Sequence, residues 1–178
     1  MSIYNHVKNK SDLIDAIVDQ IFSEITWDYE GTTWRDAMMV RALSTRETLR
    51  AHPWAIPLLE SRTAPGPETL AHHDKVLACF KSSGFPLNLS GHAFSALDAY
   101  TYGFIMTEQN LPFENEQELQ AVAKEITDSF PKEMFPALYD FIVNYTLQPG
   151  YSYSKEFMVG LEMILDQLEM KLKDHLTC

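Results

Sequence analysis

Residues 154–175, SKEFMVGLEMILDQLEMKLKDH, give the clearest prediction of architecture in this chain. Apolar side chains recur there at steps of three and four residues, from Phe157 to Leu172, which is the spacing of one face of an α-helix. The apolar stripe is wider than a single neighbouring helix would cover. We therefore expect a long C-terminal helix that packs on its own domain and on a second subunit.

The remainder of the chain has the same helical periodicity, and no run of alternating β-branched residues predicts a strand. The helix that Ser90 is expected to cap is apolar nearly all round, so it should be the buried central helix. The sequence thus predicts an all-α helical bundle. Its predicted helices cover residues 11–26, 33–51, 55–60, 67–83, 90–109, 116–129, 136–145 and 154–175.

The composition fits a globular protein that meets small molecules and itself. The 178 residues carry a formal net charge of −11, which would repel nucleic acid from most of the surface. Two cysteines, Cys79 and Cys178, indicate a reduced protein without a disulfide framework, and we expect it in the cytoplasm. No apolar run reaches the ~20 residues of a membrane span, so no membrane partner is predicted.

The N-terminal sequence IYNHVKNKSDLIDAIVD, residues 3–19, resembles a junction found in TetR-family transcriptional regulators. In that family it joins the recognition helix to a connecting helix. An aliphatic residue, a tyrosine, a histidine, a phenylalanine or valine and a lysine stand there at fixed offsets before an aliphatic helix. The residues that match in order are Ile3, Tyr4, His6, Val7 and Lys10.

Three further segments resemble the C-terminal domain of the tet repressor type. They are TWRDAMMVRALSTRETLRAHPWAIPLL at residues 33–59, SSGFPLNLSGHAFSALDAYTYGFIMTEQ at residues 82–109 and FMVGLEMILDQLEMKLK at residues 157–173. The last of them resembles the final dimer helix of the family. The resemblance implies that residues 1–10 are a remnant of a helix-turn-helix recognition helix. It also implies that residues 11–178 are a ligand-binding and dimerisation domain.

The resemblance implies that Tyr4, His6 and Lys10 would contact DNA phosphates in a complete DNA-binding head. The alternative for Tyr4 and His6 is packing against the connecting helix. A recognition helix needs preceding helices to hold it, and an isolated turn of helix is not stable in water. We therefore expect operator binding only in a full-length form, whether this sequence starts late, is naturally truncated or acts in dimers with a complete relative.

The resemblance also implies an effector site inside the bundle, and we expect a small hydrophobic or aromatic effector. Apolar walls with a few polar groups suit such a site, and ordinary core packing is the alternative for each residue. His73 and Tyr100 are the polar candidates. Asp98, an isolated charge in an apolar helix, faces solvent, joins a network or meets the ligand. The predicted ligand-binding residues are Trp34, Met38, His73, Leu77, Phe80, Tyr100, Phe104 and Met158.

A homodimer is predicted through the last two helices, which would form a four-helix bundle with their symmetry mates. The expected function is that of a TetR-type transcriptional regulator, a repressor whose C-terminal domain binds an effector and dimerises. The alternative is an all-helical interaction module that binds neither effector nor DNA. The predicted interface residues are Leu138, Phe141, Leu161, Leu165, Leu168 and Leu172.

Nothing in the sequence indicates an enzyme, a cofactor or a metal centre. Phosphate loops, nucleophile elbows and Cys–His signatures are missing from it. His72 and His73 are adjacent in a predicted helix, so their side chains point about 100° apart and cannot easily bind one ion. We therefore predict no enzymatic activity, no cofactor and no bound metal.

Overall fold

The computed structural model describes residues 9–59, 64–113 and 115–177, without the side chains of residues 116 and 128. Every regular element in these ranges is a helix, and the all-α prediction is confirmed. None of these helices is long and apolar enough to cross a lipid bilayer. The α-helices are α1 (Lys10–Glu24), α2 (Trp34–Ala51), α3 (Ile56–Leu59), α4 (Pro67–Ser82), α5 (Leu87–Gln109), α6 (Glu116–Asp128), α7 (Pro136–Phe141) and α8 (Tyr153–Thr177).

Local side chains explain where the first two helices begin. The side chain of Asn9 accepts a hydrogen bond from the backbone N–H of Asp12 at 3.0 Å, and Thr33 accepts one from the N–H of Asp36 at 3.1 Å. The first N–H groups of a helix have no partner within it, so these oxygens satisfy them. A capping residue therefore fixes the start of both α1 and α2.

Helix α5 begins three residues earlier than the sequence predicts. The carbonyl of Pro86 accepts hydrogen bonds from the backbone N–H of Ser90 at 2.9 Å and from its hydroxyl at 3.2 Å. Ser90 therefore lies inside the first turn, and the prediction that it caps the helix is wrong. The Ser90 hydroxyl bonds to the carbonyl of the residue four positions earlier, a common alternative for serine in helices.

The chain folds as two compact units. The first comprises the residues up to Met106 and those from Leu161 onward. Arg35 ties α2 to α8 in this unit, because its guanidinium lies 2.7 Å from the carboxylate of Asp166. The core of the first unit is apolar. Its side chains with 1% exposure or less include Met38, Leu49, Val76, Phe80, Leu97, Ile105, Leu161 and Leu165.

The four leucines of α8 that the sequence analysis assigned to a subunit interface are buried in the single chain. Leu161 and Leu165 are fully buried, and Leu168 and Leu172 are 6% exposed in the single chain. Leu161 and Leu165 thus fill the core of the single chain, and the assignment of the four leucines to a subunit interface stays a prediction. The exposed apolar side chains of α8 are Val159, Met163, Met170 and Leu176.

The second unit comprises Thr107–Gly160. Helix α7 continues from Phe141 into one π-helical turn. The rings of Phe141 and Tyr145 lie 5.3 Å apart, and Tyr151 lies 5.2 Å from Tyr145. Leu138 and Phe141 are each 51% exposed, so their place in a subunit interface stays a prediction.

Asp19 joins α1 to the start of α4. Its Oδ1 accepts hydrogen bonds from the backbone N–H of Thr69 at 2.8 Å and from the Thr69 hydroxyl at 2.9 Å. A carboxylate is favourable at this end of a helix, where the peptide dipoles leave partial positive charge. Gly66 makes room for it, because a Cβ there would lie 2.3 Å from the Asp19 Cγ.

We expect Gly66→Ala to lower the free energy of unfolding by about 1 kcal/mol, the usual cost of losing a helix cap. The added methyl group displaces the carboxylate of Asp19, and urea unfolding followed by circular dichroism measures the loss. Asp19→Ala should cost a similar amount. Because both changes break the same contact, the double variant should lose little more than either single variant. Additive losses would contradict the cap.

Candidate functional site

Three charged or polar side chains from different helices meet in the core of the first unit. They are Arg41 of α2, His72 of α4 and Asp98 of α5, with exposures of 2%, 6% and 9%. Arg41 Nη2 donates to Asp98 Oδ1 at 2.5 Å, and Arg41 Nε donates to His72 Nε2 at 3.0 Å. The indole Nε1–H of Trp27, in the segment after α1, lies 3.5 Å from His72 Nδ1. We call these four residues the polar cluster.

The ion pair decides between the three surroundings that the sequence left open for Asp98. Of the three alternatives, Asp98 joins a buried network, with Arg41 as its partner. An unpaired charge in the core would cost several kcal/mol, so burial of either residue requires the other. The pair therefore fixes which faces of α2 and α5 meet.

His72 is neutral in this environment. Burial lowers its pKa from 6.5 to about 3, with smaller contributions from the positive charge of Arg41, from His73 and from Lys75. Aromatic rings surround it: the ring centroid of Phe22 lies 5.3 Å away. A neutral imidazole offers one N–H donor and one acceptor, which makes it a polar group inside an aromatic wall.

A cavity of about 170 Å³ lies between α1, α4 and the segment before α4. Phe22 belongs to its wall, and the same ring contacts both His72 and His73 at centroid distances of 5.3 and 5.4 Å. Asp15 supplies a charged group at the wall. The other lining residues are Val18, Leu59, Ala64, Pro65, Gly66, Thr69 and His73.

The predicted ligand-binding residues have different surroundings in the part of the chain that the structure describes. Met38 and Phe80 are buried in the core at 1% and 0% exposure. Trp34 packs edge-on against Phe85 at 5.0 Å, whereas Tyr100 lies 5.9 Å from Phe104. Of the eight residues, His73 lines the cavity and Met158 belongs to the second unit. Their assignment to a ligand stays a prediction.

Leu77 is 39% exposed, so it does not lie on the buried face of α4, and its assignment to a ligand likewise stays a prediction. The residues of α4 that are buried are Thr69, His72, Val76, Cys79 and Phe80.

Sequence reasoning missed three of the four residues in the polar cluster. A signal for His72 was present, since residues 72, 76 and 79 have helical spacing, but the leucines on another face suggested the wrong rotation. A signal for Arg41 was also present, because a buried Asp98 needs a cation. No pattern pointed to Trp27.

An apolar groove runs between α5 and α8 on the surface of the first unit, with a volume of about 680 Å³. Leu89, Ile164 and Leu168 supply apolar surface to it, and Met163 beside them is 66% exposed. Polar and basic side chains complete its wall. They are Asn88, His92, Gln167, Lys171 and His175, with Pro86 and Ala96 as the remaining lining residues.

Two of the three predicted DNA-contact residues lie outside the part of the chain that the structure describes. Tyr4 and His6 fall outside the described residues, and Lys10 is exposed at the first position of α1. Among the described residues, no group of three or more His, Cys, Asp or Glu side chains is placed to hold a metal ion.

Fold and site together define an all-helical domain in which buried charges hold three helices around an aromatic core. The family model for the tetracyclin repressor-like C-terminal domain matches residues 28–172, and the chain belongs to that family. This confirms the family resemblance of the C-terminal segments.

Curated relatives carry regulatory names. An HTH-type transcriptional regulator of Saccharopolyspora erythraea is 33% identical over 108 residues, which cover 60% of this chain and 46% of that protein. The HTH-type transcriptional repressor DrrR1 of Streptomyces coeruleorubidus is 27% identical over 181 residues, which cover 96% of this chain and 65% of that protein. The chain thus spans about half to two thirds of the length of these relatives.

Solved structures share the fold. Apo ActR from Streptomyces coelicolor superposes with a TM-score of 0.77 at 20% identity, covering 97% of this chain and 79% of ActR. ActR in complex with actinorhodin gives a TM-score of 0.74 at 20% identity, covering 96% of this chain and 80% of that one. At this identity the likeness establishes the fold alone.

The low pKa of His72 predicts how stability depends on pH. In the unfolded chain the imidazole takes up a proton below about pH 6.5, but in the folded chain only near pH 3. The unfolded state therefore binds more protons in this window, and the contribution of His72 to stability is lost as the pH falls. From about pH 6.5 to about pH 5 we expect a loss of about 1.5 kcal/mol, measured by urea unfolding.

Two variants separate His72 from the other histidines. His72→Gln cannot titrate, so its unfolding free energy should depend less on pH than that of the unchanged protein, by about the amount given above. His92→Gln removes an exposed histidine outside the polar cluster and is the control for the loss of one imidazole. A His72→Gln variant with the full original pH dependence would refute a neutral buried His72.

Proposed function

We propose that this chain is the effector-sensing and dimerisation module of a transcriptional repressor. The observation that carries the proposal is the polar cluster, which lies beside an aromatic wall and a cavity that α1 helps to form. Regulatory ligands bind in apolar sites with a few well-placed polar groups. The names of the curated relatives support the regulatory part of the proposal.

Helix α1 is the element that would transmit the signal. Asp15, Val18 and Phe22 of α1 lie in the cavity wall, and Asp19 caps α4 next to it. A ligand in this place contacts α1 directly and competes with the contacts that hold α1 against α4. If the ligand binds one arrangement of α1 more tightly than another, it shifts the population toward that arrangement.

DNA binding belongs to the whole protein in this proposal. The net charge of −11 disfavours contact between this module and a phosphate backbone. An N-terminal head that precedes α1 would bind operator DNA, as the helix-turn-helix names of the relatives suggest. The effector is proposed to be a small apolar or aromatic molecule, and ActR, which shares the fold, has been solved in complex with actinorhodin.

A pure interaction module is the second candidate, and the size of the cavity favours it. About 170 Å³ is less than the roughly 300–1,000 Å³ typical of sites for drug-sized ligands. An effector larger than the cavity would require α1 or α4 to move. The interaction module instead needs no ligand, and the groove between α5 and α8 would be the surface that binds its partner.

Thermal-shift screening against a panel of flat aromatic and apolar compounds separates the two candidates. A sensor gains about 2.7 kcal/mol of stability from a ligand at 100 times its dissociation constant, which raises the melting temperature by several degrees. The response should weaken in Phe22→Ala, which removes the ring shared by the cavity and the polar cluster. Absence of any stabilising compound across the panel would favour the interaction module.

We place the proposed dimer interface on α5 and α8 instead of α7 and α8. The groove offers an apolar surface with exposed Met163. On the α5 side of the groove, Ala96 is a small residue. Small residues let a second helix approach closely, and two copies of this helix pair would make a four-helix bundle.

Met163→Glu should weaken the dimer by at least about tenfold in dissociation constant, because a carboxylate would be buried against apolar surface. Analytical ultracentrifugation across a concentration series measures the change. Leu70→Glu is the matched control: Leu70 is 55% exposed on α4, outside the groove, and its variant should keep the original dissociation constant. Unchanged dimerisation of Met163→Glu would rule out this surface.

A further inference from the structure

His72 faces a hydrogen-bond donor at each of its ring nitrogens. The Nε–H of Arg41 lies 3.0 Å from Nε2, and the indole N–H of Trp27 lies 3.5 Å from Nδ1. A neutral imidazole carries one N–H and one lone pair, so it can accept only one of these two bonds. A protonated ring would be worse matched, because both of its nitrogens would then be donors.

The shorter contact decides where the ring proton lies. Arg41 is at an ordinary hydrogen-bond distance, so Nε2 is the acceptor and Nδ1 carries the proton. The Nδ1–H of His72 and the Nε1–H of Trp27 then face each other as two donors. Among the described residues, neither of these N–H groups has another acceptor within hydrogen-bond distance. Trp27 is 8% exposed and His72 is 6% exposed, so bulk water does not satisfy them.

The charges around this pair favour an acceptor. The ammonium of Lys75 lies 4.8 Å from the centre of the Trp27 indole and also donates to the Trp27 carbonyl. Arg41 is on the other side of the imidazole, and its carboxylate partner Asp98 is already engaged. A cationic ligand group would meet these positive charges, whereas a neutral or anionic oxygen would be attracted to them.

We propose that Trp27 and His72 form the polar anchor of the effector site, where both N–H groups donate to one oxygen of the ligand. An oxygen about 2.9 Å from each nitrogen is compatible with their separation. The ligand is therefore a flat apolar molecule that carries a carbonyl, phenolate or carboxylate oxygen. This inference rests on the proposed effector-binding function and specifies the chemistry that the site selects.

Phe22 connects the anchor to the cavity. Its ring lies edge-on to both His72 and His73 and also belongs to the cavity wall. Neither Trp27 nor His72 lines the cavity, so a ligand in the cavity would have to displace this ring to reach the anchor. The aromatic body of the ligand would then lie against Phe22 while its oxygen replaces the unfavourable contact between Trp27 and His72.

Heteronuclear NMR of the indole N–H groups tests the anchor. The chain has three tryptophans, Trp27, Trp34 and Trp54, and single Trp→Phe variants assign their signals. Indanone is the probe, and indane, which has the same carbon skeleton without the carbonyl, is its control. We expect indanone to move the Trp27 signal downfield in a saturable manner, with little movement by indane, because only the ketone can accept the hydrogen bond.

Matched variants complete the test. Trp27→Phe should weaken indanone binding about fivefold, the loss expected for one hydrogen bond, whereas Trp54→Phe, at a tryptophan that is 50% exposed, should leave it nearly unchanged. Equal effects of indanone and indane on Trp27 would overturn the anchor, and so would binding of neither probe by the folded protein. A Trp27 signal that is already far downfield without probe and does not move would assign the position to resident water and also overturn it.

The compound panel keeps this proposal separate from the proposed function. If panel compounds stabilise the protein but none moves the Trp27 signal, effector binding stands and the anchor is wrong. If indanone moves the Trp27 signal and indane does not, both are supported.

Discussion

The buried ion pair between Arg41 and Asp98 is the constraint on which the first unit depends. Apolar cores accept alternative packing at small cost, so they leave the rotation of a helix weakly specified. Two opposite charges at 2.5 Å specify this rotation strongly. Any arrangement that separates them leaves an unpaired buried charge, which costs about 3–5 kcal/mol of stability. Because His72 accepts from the same guanidinium, the pair also sets the rotation of α4. Three helices are thus oriented by one side chain.

Helix positions could be predicted from the sequence, but the rotation of α4 could not. Periodicity locates a helix because apolar residues must recur on its inner side. It does not identify that side when apolar residues occur on several faces. Leu70 and Leu77 remain exposed at small cost, whereas His72 is buried because Arg41, far away in sequence, gives it a partner. A sequence does not reveal such a pairing.

The same limit applies to α8. The width of its apolar stripe predicted a second neighbour, but it did not indicate which residues face the core. The branched side chains of Leu161 and Leu165 pack into the core, and the more flexible Met163 and Met170 lie outside. Methionine adapts to irregular surfaces, so its place on the exposed side is consistent with a surface that later becomes covered. Residue type distinguishes the two faces better than periodicity does.

Helix α1 and the segment after it contact α4 at two places, and in the proposed sensor these contacts would allow a response to the effector. Asp19 holds the middle of α1 to the first turn of α4, while Trp27, three residues beyond the end of α1, meets His72 in the same helix α4. The Asp19 contact is favourable, whereas the contact between Trp27 and His72 brings two hydrogen-bond donors together. An oxygen that relieves the second contact changes the balance between them without touching the Arg41–Asp98 pair. In the proposed sensor the Arg41–Asp98 pair would stay in place while the contact at Trp27 changes, and His72 would connect the fixed part of the unit to the part that responds.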